Sequence, residues 1–168
     1  KKTMHFAIMH TFGTLDGGIE NLFGLDNGAN IQFSFEFSLN DKLSLAASRS
    51  SRDKFYNVFG RYHIFQQTQN GSKPFSLSLA GGAGVNTSNY NFLPEPAPNY
   101  GERTSYFGQL MLARKFSPKI SIQLTPMLAY FNDPRSVYQI EGTENLYLAL
   151  GFSGKIMVTD RSSLSLQY

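Results

Sequence analysis

The chain of 168 residues contains no cysteine and no tryptophan. Without a thiol there is no disulfide framework and no zinc ribbon. Charge is scarce: Asp, Glu, Lys and Arg make up 16%, against about 25% in an average soluble domain. Such a chain, 41% hydrophobic, is not a disordered one. It also lacks any run of 18 consecutive apolar residues, which excludes a transmembrane helix. The 15 basic residues outnumber the 12 acidic ones, for a net charge of +3. They are scattered and form no basic cluster, so nucleic acid is not expected as a partner. Present in quantity are 15 Phe, 9 Tyr and 15 Gly.

The dominant periodicity is two. Ile31, Phe33, Phe35, Phe37 and Leu39 alternate with Gln32, Ser34, Glu36 and Ser38. Side chains on a strand alternate faces, so one face is apolar and the other polar. Met4, Phe6, Ile8 and Phe12 repeat the pattern over 3–13, and Leu43, Leu45 and Ala47 over 43–49. Tyr56, Val58, Gly60, Tyr62 and Ile64 alternate with Asn57, Arg61 and His63. Similar runs cover 74–86, 105–116, 119–131 and 146–157, and a last one begins at 162. That makes nine strands. No stretch of ten residues carries a period of 3.6.

Asn40-Asp41-Lys42, Ser117-Pro118-Lys119 and Thr159-Asp160-Arg161 read as tight turns, and 66–73 as a modest one around Asn70-Gly71. The intervening segments 14–30, 50–54, 87–104 and 132–145 read as longer loops. Strict alternation of short and long puts all turns at one end and all loops at the other. Outer-membrane barrels have this form, with periplasmic turns and extracellular loops.

Alternation alone fits a soluble barrel as well. Three features favour the membrane. The polar face is small and uncharged over long stretches. The strands run 9–13 residues, as a tilted strand needs to cross a bilayer. Aromatic residues stand near strand ends, as in interfacial girdles. They are Phe12, Phe33, Phe37, Phe55, Tyr56, Phe65, Phe75, Tyr106, Phe107, Phe116, Tyr130 and Phe131. Arg114 and Lys115 are neighbours, so one of them faces outward, beside the Ser117 turn where that costs little. Pro126 interrupts a strand, and a bulge is expected there. Bacterial barrels close with an even strand number and an open edge in lipid is costly. The expectation is therefore a single but incomplete barrel domain over 1–168, with more strands in the full protein.

The stretch from His10-Thr11-Phe12-Gly13 through Gly17-Gly18-Ile19-Glu20-Asn21-Leu22-Phe23-Gly24 to Ile31 resembles an outer-membrane β-barrel family of unknown function from Bacteroidetes-type bacteria. The likeness continues at Asn40–Leu45, Arg49-Ser50-Ser51, Tyr56–Tyr62, Leu112–Ser117 and 120–128. The resemblance implies a longer mature protein and carries over no catalytic residue.

Gln32, Glu36, Arg61, His63, Gln109, Gln123 and Lys155 are the candidate lumen-lining residues. Ile19, Leu22, Phe23 and Leu25 are too apolar for a free loop and suit rim packing, a constriction or a docking element. Asp16, Glu20, Asp26 and Asn27 lack Ca²⁺-loop spacing and read as solvated. No Gly-x-Ser-x-Gly elbow and no His-Glu-x-x-His accompanies the three histidines, His5, His10 and His63. No enzyme, cofactor or metal site is expected. The expected protein is an all-β, antiparallel, up-and-down transmembrane barrel of the bacterial outer membrane. Its expected role is a small porin-like passive channel. The alternative is an accessory subunit of a larger outer-membrane complex, with a sealed lumen. Outer-membrane lipids are the expected partners, with other outer-membrane proteins in the alternative.

Overall fold

The computed structural model describes residues 2–13, 18–26, 28–89, 98–133 and 144–168, with the side chain of Asp53 left aside. Among these residues one antiparallel sheet holds nine strands, each hydrogen-bonded to the next in chain order. They are β1 (Thr3–Thr11), β2 (Asn30–Ser38), β3 (Leu43–Ser50), β4 (Phe55–Phe65), β5 (Ser76–Asn86), β6 (Thr104–Lys115), β7 (Ile120–Phe131), β8 (Leu146–Met157) and β9 (Ser163–Gln167). Edge strands β1 and β9 are not paired with each other, so the sheet is not closed.

The register keeps the two faces apart across all strands. One unbroken cross-strand row reads Phe6, Phe35, Ala47, Val58, Ala83, Tyr106, Tyr130, Leu146. The adjacent row on the other face reads His5, Glu36, Ala46, Phe59, Gly82, Phe107, Ala129, Tyr147. A slip of one residue anywhere would exchange the faces, which is why alternation fixes register. The rows slant: this second one starts near the turn end of β1 and finishes near the loop end of β8. That stagger is the sign of tilted strands.

Burial is inverted relative to a soluble protein. Besides Gly24, Gly84 and Pro98, the buried residues among those described are Ser44, Ala46, Ser48, Ala80, Asn86, Ser105 and Thr125, small or polar, together with Asp133. The large apolar side chains are exposed, Phe35 at 44% and Leu148 at 77%. The sheet therefore curls toward its polar face and presents its apolar face outward. Phe6 and Phe35 stack across β1 and β2 with ring centroids 4.8 Å apart on that outer face.

Short side chains close the turns. Asn40 Oδ1 accepts from the N–H groups of Lys42 (2.8 Å) and Leu43 (2.9 Å). Ser117 Oγ accepts from Lys119 and Ile120 in the same manner, at 3.2 and 3.1 Å. Such residues mimic a backbone turn with their side chains.

Three expectations are corrected. The segment 50–54 is not a longer loop. A single 3-10 turn, Arg52–Lys54, joins β3 to β4, drawn tight because Asn30 Oδ1 accepts from Ser50 Oγ (2.8 Å) and the Arg52 N–H (3.0 Å). Three loops, not four, thus mark the loop end. Pro126 causes no bulge: β6 and β7 pair in one register from Ser105–Phe131 to Lys115–Ser121, with a gap opposite Thr125 and Pro126. The missing N–H is absorbed as a gap in the ladder. The register shift lies instead between His63 and Phe65, against β5. Finally, Phe55, Phe107 and Phe131 are not part of an outward girdle. They pair with Asn86, Gly82 and Ser105 on the polar face.

Candidate functional site: the polar face

The loop-end half of the polar face is aromatic. Phe59 and Phe107 lie 5.9 Å apart, edge to face. Between them is Gly82, paired to both. A Cβ on Gly82 would come within 2.2 Å of the Val58 carbonyl oxygen and 2.5 Å of Phe59 Cβ. Glycine is required here because the Val58 carbonyl and Phe59 occupy its space. Gly84 is similarly covered by Phe55, with ring carbon Cε1 at 2.4 Å from the position of a Cβ. Phe131 and Tyr147 form a second edge-to-face pair at 5.7 Å. The Tyr147 hydroxyl is buried with no partner among the described residues.

The turn-end half is polar. Glu36 on β2 accepts from Ser44 Oγ at 2.5 Å and pairs with Arg61 Nη1 at 2.9 Å. The side chains are 22% and 33% exposed respectively, so the pair is enclosed by the fold without being desolvated. His5 on β1 stands opposite Glu36. Nearer the loop end, on β2 and β3, Gln32 donates to Ser48 Oγ at 3.1 Å. His63 Nδ1 and Ser78 Oγ share a hydrogen bond of 2.8 Å. Gln123 donates to Thr125 Oγ1 at 3.0 Å.

Among the described residues three cavities open on this face. The largest, about 1080 Å³, is lined by Arg61, His63, Gln67, Ser76, Ser78, Met111, Lys115 and Gln123 among others. A second of about 220 Å³ adjoins it at Ala113 and Gln123 and includes Ser121, Lys155 and Ser165. A third of about 400 Å³ is lined by Gln109, Gln123, Thr125 and Ser153. Gln67 holds the wall of the first. Its side chain accepts from the Lys115 N–H (2.8 Å) and donates to the Lys115 carbonyl (2.9 Å).

The structure thus places Gln32, Glu36, Arg61, His63, Gln109, Gln123 and Lys155 on one face. It brings Glu36 to Arg61, and Arg61, His63 and Gln123 to one cavity. Gln32 lies apart from these, with Ser48. Lys115 belongs to the same face, paired with Ser121, while Arg114 faces outward and stacks on Phe116 at 4.9 Å. Counting by twos from Gln109 would have phased that pair. Arg49 is a second outward cation, at the loop end, donating to the Tyr56 hydroxyl at 3.0 Å.

Ile19, Leu22, Phe23 and Leu25 sit on and just after a 3-10 segment, Gly18–Gly24. They do not pack on the rim: Ile19 is 79% exposed and the other three are above half. Leu22 and Phe23 have φ of 47° and 55°, left-handed values that cost a side-chain-bearing residue about 1–2 kcal/mol each. The segment is tied down where Gly13 donates to the Gly24 carbonyl at 3.0 Å. Asp16 and Asn27 lie outside the described residues, as do the aromatic and proline positions 90–97.

Among the described residues no helix is long and apolar enough to cross a membrane. No curated protein and no solved structure matches the chain. One family does: the "Membrane bound beta barrel domain (DUF5777)" matches residues 1–168. An apolar face turned outward, a polar face turned in and an up-and-down antiparallel order are what such a barrel requires, and the chain belongs to this family of membrane β-barrels.

Proposed function

We propose that this barrel resides in a bacterial outer membrane, loops outward and turns periplasmic, and acts as a small porin-like passage for polar solutes. The observation that carries this is the chain of polar cavities along the inward face, from the Glu36–Arg61 pair to Lys155. Hydrogen-bonding side chains there substitute for part of a solute's hydration, while the apolar face contacts lipid. Connection lengths support the orientation, since 12–29, 87–103 and 132–145 share one end and long loops of such barrels are extracellular. The role we infer is not enzymatic. His63 and Ser78 are hydrogen-bonded, but among the described residues no carboxylate orients the imidazole as a nucleophile–base pair needs.

The test is conductance of the folded protein in a planar bilayer. Steady channels whose ion selectivity shifts in Glu36→Gln and Arg61→Gln support the passage. Silence from correctly folded protein overturns it. One feature favours an accessory subunit with a sealed lumen, namely the inward aromatic group of Phe55, Phe59, Phe107, Phe131 and Tyr147. The small outward residues Gly81, Ala83 and Gly108 would then admit another outer-membrane protein closely. Co-purification of a stoichiometric partner with a non-conducting barrel would select that reading.

A further inference from the structure

We propose that the turn-end cavity is a binding site for a small oxyanion, a phosphate or a carboxylate carried by a water-borne solute. Among the described residues its lining contains Arg61, His63 and Lys115 and no Asp or Glu. The adjoining cavity adds Lys155, again with no carboxylate among the described residues. Glu36 is the one acidic residue on any of the nine strands, and its charge is engaged by Arg61 and Ser44. Among the described residues neither lysine ammonium has a hydrogen-bond or ion-pair partner. The cationic excess is therefore uncompensated.

A second observation points to a ligand. Arg61 Nε is buried and has no hydrogen-bond partner among the described residues. A buried guanidinium donor left unpaired is costly and signals a missing water or anion. Lys115, Ser121, Lys155 and Ser165 form one cross-strand row, so the two ammoniums flank a serine hydroxyl rather than each other. The row lies on the face opposite the lipid-facing side chains, which assigns the ligand to water rather than to a lipid headgroup.

The site itself is tested by calorimetric titration of the folded, detergent-solubilised protein with inorganic phosphate. Binding weakened about tenfold or more in Lys115→Gln/Lys155→Gln, as loss of charge-assisted contacts predicts, and unchanged in Arg114→Gln on the opposite face, supports it. Absence of phosphate binding to the parent, or equal loss in Arg114→Gln, overturns it. Should the double variant fail to fold, single Lys155→Gln, at an exposed position, carries the same reading. A second arm rests on the passage reading. In an asymmetric KCl gradient the parent should prefer anions, and the double variant should lose about fourfold in anion-to-cation ratio, taking each lysine as about 8 Å from the ion and screened by salt. Conduction without anion preference, with no phosphate binding, removes the site and leaves the passage. Phosphate binding to a barrel that never conducts removes the passage and leaves the site.

Discussion

Substituting alanine for Gly82 should destabilise the folded barrel by about 2–3 kcal/mol. The new Cβ would stand 2.2 Å from the Val58 carbonyl oxygen, 2.5 Å from Phe59 Cβ and 2.7 Å from its Cα. None of these atoms is the free end of a side chain. Relief requires β4 and β5 to move apart at the centre of their pairing, and overpacking of this kind costs about 1–3 kcal/mol. Each ladder hydrogen bond stretched in the process adds roughly 1 kcal/mol. Restricting the unfolded chain returns about 0.4–1 kcal/mol. Two further glycines make the experiment graded. At Gly84 the obstruction is Asn57 Oδ1 at 2.2 Å and the Phe55 ring, side-chain atoms able to move aside, so alanine there should cost about 1 kcal/mol. At Gly108, on the outward face, a Cβ would meet only Leu128 side-chain carbons at 3.7 Å and beyond. Alanine there should be neutral or slightly stabilising. The assay is urea unfolding in lipid vesicles, with midpoints compared at constant m-value. If all three variants unfold within about 0.5 kcal/mol of the parent, a range ordinary for surface changes, the assignment of Gly82 as the seat of Phe59 is wrong.

Position in the bilayer should grade the cost of charge on the outward face. Phe35→Arg, mid-strand, should cost about 2–4 kcal/mol and Ile31→Arg, beside the loop end, about 0–1 kcal/mol, in the same vesicle assay; equal costs would contradict a membrane-spanning β2. Gln67→Ala removes both hydrogen bonds to the Lys115 backbone and should cost about 1–3 kcal/mol. Gln66→Ala serves as the control, and a Gln67 variant as stable as it would remove the clamp from the argument. Asn30→Ala should loosen the β3–β4 turn, read as faster amide exchange at Arg52, whose N–H donates to Asn30 Oδ1 at 3.0 Å. Unchanged exchange there would mean that the turn holds without it.

Most of the fold was legible because the code of a half-lipid, half-water strand is local. Residues of one parity must be apolar, as Phe33, Phe35 and Phe37 are, and the other parity need not be. The tight turns were legible for the same reason, since Asn40 and Ser117 act within three residues. What escaped depends on counting across strands. Phe107 stands near a strand end, where aromatic residues commonly form girdles, yet its parity with Gln109 turns it inward against Gly82. Arg114 and Lys115 could not be divided without the same count. The turn after Ser50 was misread because its closure comes from Asn30, 20 residues earlier. Nor does a sequence show that Gly82 is the space another side chain needs. The seven candidate lumen residues were found by parity, whereas the Glu36–Arg61 pairing depends on the two strands being placed either side of β3.

The slant of the cross-strand rows bears on how the aromatic residues can obstruct a passage. Phe59, Phe107 and Tyr147 occupy a single row, standing fifth, fourth and second from the loop end of their strands. At about 3.3 Å per residue and a tilt of roughly 45°, the row climbs about 7 Å between Phe59 and Tyr147. They therefore cannot close like an iris at one depth. They build an oblique ledge along the wall of β4–β8, while β1–β3 offer the smoother Ala7, Ser44, Ala46 and Ser48 on the same face. On the passage reading, a solute deflected by the ledge would travel down that smooth side toward Glu36 and Arg61.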